Sequence, residues 1–259
     1  MNGLQEIAST FSLQFFIPFI VLYISAVIYT NRRYKKWPIH RTICWCLSML
    51  FIAVAVTGPL AELAHTNFTM HMVGHLLLGM LAPLLLVLSA PMTLLLRTLS
   101  TKYARTVTKL LKSWPSSIVT HPIFTTMLNI GGLWLLYTSN LYIVMHDHIV
   151  MYVIVHVHIF GAGYLLILSM IYIDPIFHRK SFLYRAIVLV LAIAGHSILA
   201  KYLYAHPPIG VEAEQAQLGS IVMYYGGDII DAVLIFILCL QWYRATKPRV
   251  VREVTSSSH

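Results

Sequence analysis

The chain has 259 residues, of which 58% are apolar and only 10% charged, with a formal net charge of +9 and a mean hydropathy of +0.75. A water-soluble domain carries about a quarter charged residues, so this composition excludes one. The positive balance does not point to nucleic acid, because the Lys and Arg residues cluster between apolar stretches, where they set membrane topology instead.

Seven apolar windows follow one another, near 11–29, 42–61, 70–96, 121–140, 149–173, 182–204 and 218–243. Together they predict an all-α polytopic membrane protein with seven transmembrane helices. No Lys or Arg precedes the first window, which therefore reads as a retained span rather than a cleavable signal. Seventeen of the 18 Lys and Arg residues lie in the segments 30–41, 97–120, 174–185 and 244–259, and only Lys201 lies on the other side. The positive-inside rule then predicts an N-terminus outside and a C-terminus in the cytoplasm. Residues 1–243 read as one transmembrane domain and 244–259 as a basic polar tail. Segment 97–120 is predicted to ride the cytoplasmic surface as a short amphipathic piece. The loop 205–217, with Glu212 and Glu214, is the acidic external segment.

This topology sorts the 13 histidines. Nine fall on the outer half or in the outer loops, a bias that matters because imidazole is costly in hydrocarbon and marks a cavity or site. His71 and His75 stand four residues apart on one helix face. On helical rise, His75 lies roughly 8 Å below its helix's outer end, and His156 and His196 roughly 12 Å below theirs. Three helices thus bring histidines to similar depth, with His71 one turn above and His148, Tyr152 and His156 in an i, i+4, i+8 stripe. The expected metal ligands are His71, His75, His156, His196, His148 and Met72, since imidazole with thioether suits Cu(I). His158 points away from the stripe, towards a supporting or lipid-facing role. His65, His146 and His206 read as interfacial residues bonded to carbonyls or headgroups.

Asp228 and Asp231 lie near the middle of the seventh window, three residues apart. Carboxylates at that depth are expensive, and two so close do not both ionise readily, so a proton or a partner is expected. His196 and Lys201 are candidate partners. Asp228, Asp231, Tyr152 and Met223 are accordingly the expected supporting residues. The alternative for the aspartates is a helix–helix hydrogen bond at Gly226–Gly227. The cysteines Cys44, Cys46 and Cys239 form no disulfide framework and read as small apolar residues. Residues 218–243 contain no lysine for a retinal linkage, and there is no phosphate-cradling glycine loop, Ser-His-Asp pattern or HExxH helix.

From the second window to the seventh, the chain resembles the CtaG-type assembly factors of caa-type cytochrome c oxidase. The resemblance rests on His71 and His75 followed by Ala82–Pro83 and Ala90–Pro91, on His121–Pro122, and on His148, His156 and His196. The last span departs from it, with Gln215, Gly219–Ser220 and Met223–Tyr224 where many members carry an Asp and a Gly-Gly-x-x-Met-Trp pattern; Glu212 or Glu214 could substitute for that Asp. The resemblance implies a non-enzymatic role in maturing a respiratory oxidase in the bacterial cell membrane, with copper assisted to its site. The implied partners are oxidase subunits, the lipid bilayer and a copper donor protein. Two other readings of the residues stand beside it: a haem-binding electron-transfer protein, through paired histidines on facing spans, and a metal-ion or proton transporter using the mid-span aspartates.

Overall fold

The computed structural model describes residues 16–248. Among them there are helices and connections and no strand. The start of the first expected span and the end of the basic tail lie outside the described residues. In chain order the helices are α1 (Ile17–Arg33), α2 (Ile39–Val56), α3 (Gly58–Ala64), α4 (Phe68–Leu88), α5 (Pro91–Thr98) and α6 (Thr101–Leu111), then α7 (Trp114–Val119), α8 (Pro122–Thr138), α9 (Leu141–Asp147), α10 (Ile149–Met170), α11 (Phe182–Ala205) and α12 (Ala213–Thr246). Five of them, α2, α4, α10, α11 and α12, are long and apolar enough to cross a membrane. Helices α1 and α8 have 17 residues each; α8 lies within the fourth expected span, and α1 overlaps the first and runs four residues past its expected end.

The second and third expected spans are each cut short. The second, expected to run to 61, ends at Val56; Thr57 is extended, Gly58 takes a positive φ of 75°, and Pro59 opens α3. Only glycine enters that left-handed region without a Cβ penalty. The third, expected to run to 96, ends at Leu88, where Ala90 (φ 52°) turns the chain and Pro91 starts α5. A proline disfavours helical geometry in the residue before it and has no N–H to continue the ladder.

Helix α4 is the centre of the bundle. Its apolar window is 56% buried, against at most 39% for the other four long helices. It packs against α2, α3, α10 and α12, while α11 lies against α12 and α8, and α8 against α10. One apolar cluster, including Phe68, Met72, Leu136, Tyr137, Met145, Leu199 and Met223, fills the end where α4 begins. Another, including Leu84, Val87, Ile167, Met170, Val188 and Leu234, fills the opposite end.

Within α4, residues Leu77–Leu81 form a π-helical turn, closed by the Ala82 N–H on the Leu77 carbonyl. Pro83 accounts for it. Having no N–H, it cannot bond the carbonyl of Gly79 four residues back, and its ring would crowd that carbonyl in a regular helix. The widened turn moves the Gly79 carbonyl against Gly163 of α10, and a Cβ at Gly163 would collide with it. The Ser48 hydroxyl donates to the Ala82 carbonyl at 2.8 Å, tying α2 to the same place.

The opposite, basic end is held by two buried charges. Asp174 accepts from the Met92 and Thr93 amides at 3.1 and 2.7 Å and from the Thr93 hydroxyl at 2.6 Å, capping α5 from a distant loop. Arg185, 1% exposed, donates to the Met170 carbonyl at the end of α10, and its guanidinium lies 3.9 Å from the Tyr172 ring centroid and 4.5 Å from that of Phe182. Nearby, α6 buries none of its residues. It carries Lys102, Arg105 and Lys109 among Tyr103, Val107 and Leu110, the amphipathic piece expected at 97–120.

Gly163→Ala is expected to destabilise the protein by about 1–3 kcal/mol, because the obstacle is backbone and has no rotamer to yield. Gly161→Ala, where an added methyl meets nothing within 4 Å, is expected to leave stability unchanged or raise it. Denaturant unfolding in detergent micelles compares the two. The same measurement applied to Asp174→Ala should show a loss of about 1–3 kcal/mol, from two uncapped amides and a hydroxyl left without its acceptor.

Candidate functional site

The histidines gather where α4 begins, and they do so at two levels. Asn67 caps α4, its side-chain oxygen accepting from the Met70 amide at 3.0 Å, which starts the helix so that His71 and His75 fall one turn apart on its inner face. Both are buried, at 6% and 5% exposure, as is His196 of α11 at 5%.

The upper level is a cavity of about 20 Å³ lined by His65, His71, His75, His146, Tyr152 and His156, among others. The His71 Nε2 and the Tyr137 hydroxyl stand 3.1 Å apart in a hydrogen bond. The His156 Nδ1–H donates to the Tyr152 carbonyl at 2.8 Å, and the His146 Nδ1–H donates to the Tyr142 carbonyl at the same distance. In each case this tautomer leaves Nε2 with its lone pair, the arrangement in which a backbone carbonyl orients an imidazole for metal. His156 also stacks on Tyr152, with ring centroids 3.9 Å apart, and His65 stacks on the same tyrosine at 5.3 Å. Outside the spans, burial and then the neighbouring His146 hold the His65 imidazole below its ordinary value, which favours the neutral form. Burial pushes the Tyr142 phenol up to about 12, so it stays protonated at neutral pH.

The lower level is a cavity of about 30 Å³ whose lining includes His75, Met80, Asn129, His196 and Asp231. His75 belongs to both levels. Its ring stacks on that of His196 with centroids 6.2 Å apart and planes 22° from parallel. Two glycines make room for the pair. A Cβ at Gly227 would stand 2.7 Å from His196 Cε1, and one at Gly79 would stand 3.4 Å from His75 Cε1. Among the described residues, both ring nitrogens of His75 and the Nε2 of His196 are buried without a hydrogen-bond partner. Leaving such an atom unpaired costs about 1–3 kcal/mol, which points to water or an ion at this place.

Of the expected ligands, the structure brings His71, His75, His156 and His196 to these two levels. It does not place His156 beside His196; those two line different cavities, with His75 between them. His148 is exposed at the N-cap of α10 and lines neither cavity. Met72 and Met223 are fully buried in the apolar cluster, with Met72 packed towards Gly219; Met80 instead lines the lower cavity. Asp231 lines the lower cavity, whereas Asp228 is half-buried and lines neither. Lys201 lies elsewhere, 5.2 Å from the Tyr224 ring centroid. The His158 Nε2–H donates to the Leu128 carbonyl at 3.2 Å, joining α10 to α8, and the exposed His206 bonds the Tyr202 carbonyl at 3.3 Å. Among the described residues, no three His, Cys, Asp or Glu side chains stand close enough together to hold a metal ion.

Asn129 is not among the site residues expected from the sequence; His65 and His146 read there as interfacial, and Met80 stands with Met70 and Met72 beside the imidazoles, Met72 being favoured as the ligand. His146 does bond a carbonyl, as expected of an interfacial histidine, yet the short helix α9 also carries it to the cavity mouth. A usable signal for Asn129 was present: an amide inside an otherwise apolar span.

A family model described as cytochrome c oxidase caa3 assembly factor (Caa3_CtaG) matches residues 21–245. The uncharacterized protein ML1998 of Mycobacterium leprae (strain TN) is 23% identical over 257 residues, covering 89% of this chain. The match spans only 38% of that longer relative. No solved structure matches the chain. Since the family match runs through nearly all the described residues, the chain belongs to the cytochrome c oxidase caa3 assembly factor family.

Proposed function

We propose that the chain crosses the membrane seven times, with its histidine-bearing end outside and its basic end in the cytoplasm, and that it assists assembly of a caa3-type cytochrome c oxidase by handling copper as cargo. The observation that carries the copper reading is the stacked His75–His196 pair, buried yet with three unpartnered ring nitrogens. Two neutral imidazoles with a thioether nearby are a soft donor set of the kind Cu(I) prefers. Asp231 supplies a carboxylate on the same cavity, able to offset cationic charge or orient a ring nitrogen. The upper histidines make an entry level, since His75 faces both cavities. Cavities of about 20 and 30 Å³ suit an ion with a water or so rather than a porphyrin, which favours copper over the haem alternative. The role is non-catalytic: the chain binds and passes on, and the oxidase performs the chemistry.

Metal analysis of the purified full chain, loaded with Cu(I), is expected to show copper retained by the wild type and lost from His75→Ala and His196→Ala. Equal copper in all three would overturn the site. Asp231→Asn should weaken copper affinity about 10–100-fold while leaving both imidazoles in place. In cells, oxidase matured alongside His75→Ala should be short of copper; full copper occupancy there would remove the proposed role. For topology, a reporter active only in the cytoplasm should work when fused to the C-terminus and fail when inserted in the 206–212 loop. The reverse pattern would invert the orientation.

A further inference from the structure

A third cavity lies apart from the histidines, on the outward side of α11 and α12. Its volume is about 260 Å³, far larger than the two histidine cavities, and it is lined by Ala200, Lys201, Tyr204, Ser220, Tyr224 and Tyr225, with Ile221. Three features of the lining are unusual for a membrane-facing groove. Lys201 is the one Lys or Arg outside the four basic segments of the sequence, and its ammonium sits over the Tyr224 ring at 5.2 Å. Ser220 is 2% exposed, and its hydroxyl has no hydrogen-bond partner among the described residues. Tyr204 and Tyr225 stand exposed at its sides, at 46% and 64%. In a span facing hydrocarbon, a cation is kept where it reaches the headgroup layer or holds an anion. Lys201 lies four residues from the end of α11, about 6 Å along the axis, which is headgroup depth.

We propose that this groove binds a phospholipid, with Lys201 gripping the phosphate and the Ser220 hydroxyl donating to a phosphate or ester oxygen. An ammonium, buried and exposed hydroxyls and an apolar floor in one groove match an amphiphile carrying one negative charge at its polar end. Tyrosine side chains suit the boundary, with the ring in the acyl region and the hydroxyl towards the headgroup. The site depends on the chain being membrane-embedded and not on any metal at His75 and His196.

The test uses the purified full chain, incubated with phosphatidylglycerol and released from detergent in a native mass spectrometer. The wild type is expected to retain a bound phosphatidylglycerol. Lys201→Ala should lower the retained fraction about tenfold, and Ser220→Ala roughly threefold. Lys201→Arg should keep it, since the charge and donors remain, and Lys102→Ala on α6 should not change it. Equal retention by Lys201→Ala and wild type would overturn the proposal, as would an equal loss from Lys102→Ala. Displacement of the lipid by an equal concentration of inorganic phosphate would overturn it in favour of a small-anion site. Failure of Lys201→Ala to fold would leave the arginine and serine variants to decide the same question.

Discussion

Pro83 has no hydrogen to give, and the centre of the bundle is arranged around that deficit. A regular helix would bring the Gly79 carbonyl under the proline ring, so α4 opens by one residue and the Ala82 N–H reaches back to Leu77. The displaced Gly79 carbonyl needs a neighbour without a Cβ, and Gly163 of α10 is that neighbour. The Ala82 carbonyl is met by Ser48 of α2. Inside a membrane no water stands ready to repair such gaps, so each freed group has to be answered from another helix. One imino acid thereby fixes the approach of three helices. It also sets the position of His75, the last inward histidine before the widened turn, whose ring rests beside Gly79.

The histidine end follows the same logic with the opposite outcome. His156, His146 and His158 each spend a ring N–H on a backbone carbonyl. His71 has Tyr137. His75 and His196 face each other with nitrogens left over. Of the buried polar atoms without a partner among the described residues, three are ring nitrogens of this one pair. The proposed copper cargo would require such unspent nitrogens. A site with every donor already paired would have to break bonds to load, and one that closed fully around an ion would be slow to release it.

Much of the architecture was legible in hydropathy alone: α11 runs from Phe182 to Ala205 where 182–204 was expected. The interruptions at Thr57–Gly58 and Ala90–Pro91 were not, because a window averaged over twenty residues barely registers two of them. Depth along the axis was readable from the 1.5 Å rise, and it placed His75, His156 and His196 near one level. Rotation about the axis depends on packing, so depth alone did not show that His156 lines the upper cavity while His196 turns to His75 in the lower one. The π turn adds a further rotation to everything in α4 beyond Leu77, which is one reason Met80 rather than Met72 meets the lower cavity. His65 and His146 read as merely interfacial for a different reason. They sit on connections whose path over the end of the bundle is set by tertiary contacts, not by local pattern.

The buried Arg185 gives the molecule a polarity beyond that of its loops. Its guanidinium stays charged at any pH a cell meets, and it is held by a carbonyl and two aromatic faces. The basic end is therefore fastened by a group that ignores acidity, metal and redox state alike. At the other end, imidazoles do the work, and imidazoles answer to all of these except electron transfer. The bundle thus has a fixed end and a responsive end: under the proposed copper role, loading would reshape the histidine layer while the far end keeps the helices in register.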